Sequence, residues 1–289
     1  MKAYLDLVKF SHTIFAMPFA MIGYFTALEV NQIAFDPKIL ALVVLAMVFA
    51  RNAAMAFNRW ADRDIDAANP RTRDREIPAG VIDQKNALLF VVINCIAFVL
   101  VCWFINRLCF YLSPIALAIV LAYSFTKRFT FLCHVILGLG LALAPIGAYL
   151  AVHPEFNAIP VIYGLAVLFW VSGFDIIYAL QDADFDENFS LQSIPQFFGK
   201  KKALYLSVGF HLLTAILILV ASYLFYQTEM SIGILHAIGV IFFLGILYYQ
   251  HTIVSANDLT KVNKAFFTMN GIGSVMFGVL IILDFYLSF

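Results

Sequence analysis

The chain has 289 residues, of which 63% are hydrophobic and only 12% charged, with eighteen basic residues balancing eighteen acidic ones. Soluble domains carry about 25% charged and 45–50% apolar residues, so this composition excludes an ordinary soluble enzyme and places the chain in a membrane. A net charge of zero offers no basic surface, and no nucleic-acid partner is expected.

Crossing a bilayer takes about 20 mostly apolar residues. Nine segments qualify, near 10–30, 38–58, 86–105, 108–125, 131–151, 159–181, 202–226, 230–252 and 265–287. Their apolar runs are continuous rather than alternating, which predicts helices and not barrel strands. The expected fold is therefore all-α: one polytopic membrane domain over 1–289, nine helices bundled around a central cavity. The first segment is too long for a signal-peptide core and has no small-residue cleavage site behind it. Cys95, Cys102, Cys109 and Cys133 lie in or beside apolar segments without CxxC spacing and read as small buried hydrophobes.

Charge placement sets the orientation. Lys2 and Lys9, the loop basics Arg59, Arg63, Arg71, Arg73, Arg75 and Lys85, then Lys127, Arg128, Lys200, Lys201, Lys202, Lys261 and Lys264 all fall on one side, fifteen of eighteen. Lys38 and Arg107 fall on the other, and Arg51 lies inside a span. The N-terminus and the even-numbered loops are thus expected to face the cytoplasm of a bacterial-type inner membrane. The two longest polar stretches, 59–85 and 182–201, share that side and hold most of the carboxylates.

In the first stretch, Asn58, Asp62 and Asp66 fall within an arc of roughly 80° on a helix, with Arg51 in the same arc and Asp64 outside it. In the second, Asp175, Tyr178, Asp182 and Asp186 return to one face, with Asp184 again outside. Two carboxylate pairs, each one turn apart and four helices from each other, suggest an internal repeat of two halves sharing a site. Mg²⁺ takes oxygen ligands and is usually held by one or two carboxylates plus substrate phosphates. Paired acidic clusters therefore point to Mg²⁺ and a diphosphate. A solvated acidic loop explains either cluster alone, but explains two of matching spacing and sidedness less well.

Tyr123, Lys127 and Arg128 close the fourth span. Alone they read as topology and headgroup contact; beside the acidic clusters they suit a departing diphosphate. Arg71, Arg73 and Arg75 sit in a Pro-broken loop that suits a mobile basic lid, or simply local ion pairs. A guanidinium inside an apolar helix marks a partner or a substrate anion by default. For Arg51 the two readings are a bidentate contact with a substrate carboxylate and an ion pair with Asp175. His12 falls close enough to the first span to meet the site. His134, His211 and His236 lie in apolar runs without evident partners and read as core, and His251 as structural.

These residues resemble the UbiA superfamily of intramembrane prenyltransferases. That family shows N-D-x-x-D-x-x-x-D, R-x-x-R-P-x-x-x-G, Y-x-x-x-K-R and D-x-x-Y-A-x-x-D-x-x-x-D. This chain reads FNRWADRDID, NPRTRDREIPAG, AYSFTKRFT and FDIIYALQDADFDENFSLQSIPQFFG, in family order. The resemblance implies Mg²⁺-dependent transfer of a polyprenyl chain from its diphosphate to an aromatic acceptor. By position, Asn58, Asp62, Asp66, Asp182 and Asp186 would hold the metal, and Lys127 and Arg128 the diphosphate. Arg51, seven residues before Asn58, matches the arginine that meets the acceptor carboxylate in 4-hydroxybenzoate-type members. The Asn-Arg form, with SIPQFFG and AFFTMNG, is most similar to the 4-hydroxybenzoate polyprenyltransferase-like branch, which includes hydroxynaphthoate enzymes.

Two departures stand out: Arg59 where many members carry Asp, and Ser190 where glycine is common. The implied partners are polyprenyl diphosphate, an aromatic acid and membrane lipid, with no obligate protein partner. Asp175 or Tyr178 would orient the acceptor or steady an allylic cation. The rivals are a cation-coupled transporter, whose acidic sites would lie at midplane, and a CDP-alcohol phosphotransferase, whose DG-x-x-AR run is absent. Within the superfamily, a haem- or chlorophyll-type acceptor is the remaining alternative.

Overall fold

Among the described residues, eight helices are long and apolar enough to cross a membrane, and one more, Met17–Val30, is apolar but shorter. The protein is an integral membrane protein, and the helices fall where the nine apolar segments predict them. The computed structural model describes residues 2–8, 16–228 and 232–287, without the Lys2 side chain. Lys9, His12 and the first residues of the first and eighth predicted spans lie outside the described residues.

In chain order the helices are α1 (Lys2–Leu7), α2 (Met17–Val30), α3 (Pro37–Ala61), α4 (Arg63–Ala68), α5 (Gln84–Ile105), α6 (Arg107–Thr126) and α7 (Cys133–Val152). They continue with α8 (Ala158–Ala179), α9 (Ala183–Asn188), α10 (Ile194–Phe198), α11 (Lys200–Gln227), α12 (Ile234–Ile253) and α13 (Asn270–Leu287). A π-helical turn, Lys264–Met269, leads into α13.

The starts are set by short polar side chains. Asp36 and Asp83 accept the N–H groups of Lys38 and Lys85, each at 2.8 Å, opening α3 and α5. Asn157 caps α8 in the same way through Ile159, at 2.9 Å. These satisfy donors that a helix start leaves orphaned. Proline in a span removes the partner of the carbonyl four residues earlier. At Pro114 that carbonyl belongs to Phe110, and the Ser113 hydroxyl donates to it at 2.7 Å. The span stays continuous because the freed acceptor is satisfied internally, as lipid requires.

The chain forms two compact units, Met1–Thr13 with Asp36–Thr126, and Ile14–Phe35 with Lys127–Phe289. In the first, α3 packs along α5 and α6. Leu7 and Val8 bury against Ala56, Ile77, Ile82, Ala87 and Val91. In the second, α8 is the central span, flanked by α7 and α11, and α2 lies along α7 and α13. Trp170, Val167 and Tyr163 of α8 are fully buried and share a core with Phe19, Phe243 and Phe277. A helix apolar all round belongs in such a position. The outer helices instead expose Val92, Ile93, Ile96 and Leu100 on α5 and Ile216, Leu219 and Tyr223 on α11. In a membrane chain these are the lipid face. The units are unequal in size, and what they share is the construction of their acidic helix ends.

Candidate active site

Both acidic motifs are built from a long helix, an aspartate and a short helix. α3 ends at Ala61, Asp62 follows at φ −94° and ψ 4°, and α4 runs six residues. In the other unit α8 ends at Ala179, Asp182 sits at φ −102° and ψ 0°, and α9 also runs six residues. In each, the second aspartate donates its backbone N–H to the first one's carbonyl, Asp66 to Asp62 at 2.7 Å and Asp186 to Asp182 at 2.8 Å. Neither Asp62 nor Asp182 caps its short helix with its side chain, although both stand at the capping position. The continuous helical face expected from spacing is therefore interrupted at Asp62 in the first motif and over 180–182 in the second. The pairing one turn apart survives because the short helix resumes at once.

In the first unit, Asp62 and Asp66 are both buried, and Asn58 Nδ2 donates to Asp62 Oδ2 at 3.2 Å. Arg75 Nη1 donates to both Asp66 oxygens, at 2.7 and 2.9 Å. Arg59 Nη1 lies 4.0 Å from Asp66 Oδ2. Arg51 and Arg59 are both within electrostatic reach of Tyr123, so the unit gathers Arg51, Arg59 and Tyr123 as well as the Asn58–Asp62–Asp66 set. The basic loop is folded down rather than loose. Thr72 Oγ1 donates to the Asp66 carbonyl at 3.1 Å, Asn69 Oδ1 accepts from Arg71 N at 2.9 Å, and Ile77 and Ile82 are buried. Arg71 and Arg73 are exposed, and Arg75 reaches the Asp66 carboxylate.

In the second unit, Ser193 Oγ donates to Asp186 Oδ2 at 2.8 Å. Burial pushes the Asp186 carboxyl up to about 6. The Ser193 hydrogen bond pulls it down, the Asp182 charge raises it, and Lys127 and His134 lower it. Lys127 is thus brought to Asp186, and its carbonyl also accepts from Gln192 N at 2.7 Å, pinning the 190–194 turn. A partly desolvated carboxylate beside a second one is a place where a cation is welcome. Asp64 and Asp184 are exposed and pair with Arg63 at 3.5 Å and Lys200 at 3.0 Å, outside both sets as the spacing predicts. Arg128 is exposed at the end of the Lys127 turn. Tyr178 stacks on Phe266, ring centroids 4.2 Å apart, because the π-helical turn presents Phe266 to it.

Two contributors escaped the sequence reading. His134 is not a bare core residue: its Nδ1 lies 2.7 Å from Asp175 Oδ2, and its Nε2 accepts from Ile194 N at 3.3 Å. With Nε2 accepting, Nδ1 carries the proton and donates to Asp175. Asp175 therefore has a histidine partner in its own unit. His211 and His236 are also partnered, through His251 at 2.9 Å and Ser222 at 2.8 Å. An ionisable side chain in an apolar run was the available signal. Ser193 is the other omission, and a serine two residues after a turn carries no such signal.

Ser190 explains itself in place. The chain leaves α9 through a Schellman turn, with Leu191 N donating to Asp186 O at 2.8 Å and Ser190 N to Glu187 O at 3.3 Å. Ser190 takes the left-handed position, φ 52°, where glycine is favoured. Ser190→Gly is expected to stabilise the fold by about 1 kcal/mol, read as a higher Tm in detergent. An unchanged or lower Tm would show that the serine carries no strain.

The donors are hard oxygens: Asp62 with Asn58 in one unit, Asp182 and Asp186 in the other. Among the described residues, no three His, Cys, Asp or Glu converge into a protein-only metal cage. One or two carboxylates, completed by phosphate and water, is the arrangement Mg²⁺ takes. The residues fit that ion.

Residues 16–272 match the profile of the UbiA prenyltransferase family. A 4-hydroxybenzoate octaprenyltransferase from Aliivibrio salmonicida is 32% identical over 246 residues, 84% of this chain and 83% of that protein. Another, from Yersinia pseudotuberculosis, is 32% identical over 254 residues, 85% and 84% of the two chains. The solved apo structure of a UbiA homolog from Aeropyrum pernix superposes with a TM-score of 0.84 at 29% identity, covering 95% of this chain and 98% of that one. A UbiA homolog from Archaeoglobus fulgidus, bound to GPP and Mg²⁺, has a TM-score of 0.75 at 21% identity, covering 99% and 100%.

Proposed function

Because the chain belongs to the UbiA prenyltransferase family, we propose that it transfers a polyprenyl group from polyprenyl diphosphate to 4-hydroxybenzoate or a similar hydroxylated aromatic acid, for membrane quinone synthesis. The observation that carries this reading is the repeated acidic helix end, with Asp62 and Asp182 each standing at a capping position that their side chains do not fill. We place these ends at the cytoplasmic face of a bacterial-type inner membrane.

Asn58, Asp62, Asp66, Asp182 and Asp186 would hold Mg²⁺, which when bound supplies positive charge against the departing diphosphate. Lys127 adds fixed charge beside Asp186, Arg128 lies one residue on, and Arg71 and Arg75 reach phosphate oxygens from the loop. As the allylic C–O bond ionises, its electron pair leaves with the diphosphate. The acceptor carbon ortho to the phenol then attacks the cation, and that ring carbon gives up its proton to the released diphosphate. Tyr178 and Tyr123 border the reacting groups, and Asp175, fixed by His134, orients the acceptor. Arg51 pairs with the acceptor carboxylate.

Purified protein incubated with labelled polyprenyl diphosphate, Mg²⁺ and a panel including 4-hydroxybenzoate and hydroxynaphthoate should yield a prenylated aromatic acid. Absence of product with every acceptor would overturn the reading. Arg51→Ala is expected to raise KM for the acceptor about tenfold or more, with a much smaller change for the diphosphate. Equal effects on the two substrates would make Arg51 structural.

A further inference from the structure

Arg59 stands where many members of the family carry an aspartate, which removes one carboxylate and adds one fixed positive charge at the same place. Its side chain is about nine-tenths covered, with the residue 6% exposed. Burying a guanidinium this deeply is costly unless its five N–H donors are used. They are poorly used here. The Arg59 Nε is buried without a hydrogen-bond partner. Among the described residues its one ion pair is to Asp66, long at 4.0 Å, and Glu76 is within electrostatic reach without an ion pair. Asp66 does not need it, because Arg75 already holds both Asp66 oxygens at 2.7 and 2.9 Å. An orphaned donor on a buried charge calls for an explanation, and an absent anionic ligand is one.

The geometry points to Arg59 as a diphosphate-binding residue of this chain, a built-in cation that takes over part of the charge neutralisation that a metal-holding aspartate would otherwise serve. The inference rests on the prenyl-diphosphate reading above and deepens it. Arg59 is at the C-terminal turn of α3, one residue after Asn58 and three before Asp62, and its Nη1 lies 4.0 Å from Asp66 Oδ2. A planar guanidinium matches two phosphate oxygens at once and needs no hydration shell removed from a metal. In the ligand-free chain Arg75 holds both Asp66 oxygens, so Arg59 is not needed to neutralise that carboxylate. The consequence is a diphosphate affinity that survives in part without divalent cation.

Inorganic diphosphate binding to the full-length protein in detergent, measured by calorimetry in EDTA and again with Mg²⁺, tests this. The wild-type protein should bind in EDTA. Arg59→Gln should weaken that metal-free binding about tenfold or more, and Arg59→Lys should restore most of it. Arg59→Asp, which recreates the family's acidic residue, should make binding wholly dependent on Mg²⁺. Thermal unfolding of each variant identifies any that misfold, and the lysine variant retains the charge if glutamine does not fold. Equal metal-free affinity in wild type, Arg59→Gln and Arg59→Asp would overturn the role of Arg59 while leaving the prenyl-transfer reading intact. No diphosphate binding by the wild type, with or without Mg²⁺, would overturn both.

Discussion

Asp62→Ala and Asp182→Ala are each expected to lower kcat by about a thousandfold or more. An aspartate at the start of a helix normally accepts a backbone N–H of that helix, which is why the residue is favoured there. At both junctions the side chain declines that role while the backbone keeps the junction geometry. Alanine at either position should therefore leave the local fold intact and remove an oxygen proposed to bind the metal. Asp64→Ala and Asp184→Ala are the controls, two residues along and exposed, and should stay near wild-type rate. The measurement is steady-state turnover of labelled polyprenyl diphosphate at saturating Mg²⁺. Rates within tenfold of wild type for both Asp62→Ala and Asp182→Ala would sink the metal assignment.

Much of this site was legible in the sequence because its signals are local. Apolar runs long enough to span a bilayer can be counted, and oxygen-bearing residues four apart share a helical face whatever surrounds them. Asp64 and Asp184 fall off those faces on that ground alone, and both are exposed. The break in the helix at Asp62 and over 180–182 was not legible, since periodicity assumes an unbroken axis. Nor was the His134–Asp175 contact, which joins residues 41 apart in sequence. The departures at Arg59 and Ser190 were visible as letters, but their meanings needed coordinates. Ser190 occupies a left-handed turn position, and Arg59 carries a donor that nothing accepts. The loop of arginines read as a mobile lid or as local ion pairs; the Arg75–Asp66 pair is of the second kind, and buried Ile77 and Ile82 and the Thr72–Asp66 bond hold the loop down.

Gly23→Ala is expected to destabilise the protein by about 3 kcal/mol, near the upper end of what overpacking usually costs. Among the described residues, α2 is the shortest of the nine long apolar helices, and its neighbours hold it. Those neighbours are α7 and α13, and it meets each through a glycine. A Cβ at Gly23 would lie 2.1 Å from the Pro145 carbonyl oxygen of α7, and 2.8 and 2.9 Å from two further backbone atoms of Pro145. At Gly278 of α13 a Cβ would lie 2.7 Å from Pro18 Cβ of α2. Backbone cannot rotate out of the way as a side chain can, so one helix must move, and α2 carries Phe19 and Ile22 into the core around Trp170. Helix pairs in membranes rely on such close approach because lipid leaves little hydrophobic drive between them. Gly147→Ala, also on α7, has nothing within 4 Å of its added Cβ and should be neutral or slightly stabilising through helix propensity. Thermal unfolding of the two variants in one detergent separates packing from propensity. A Gly23→Ala protein that unfolds at the wild-type temperature would mean that α2 yields to the added methyl, and that this contact does not hold it in place.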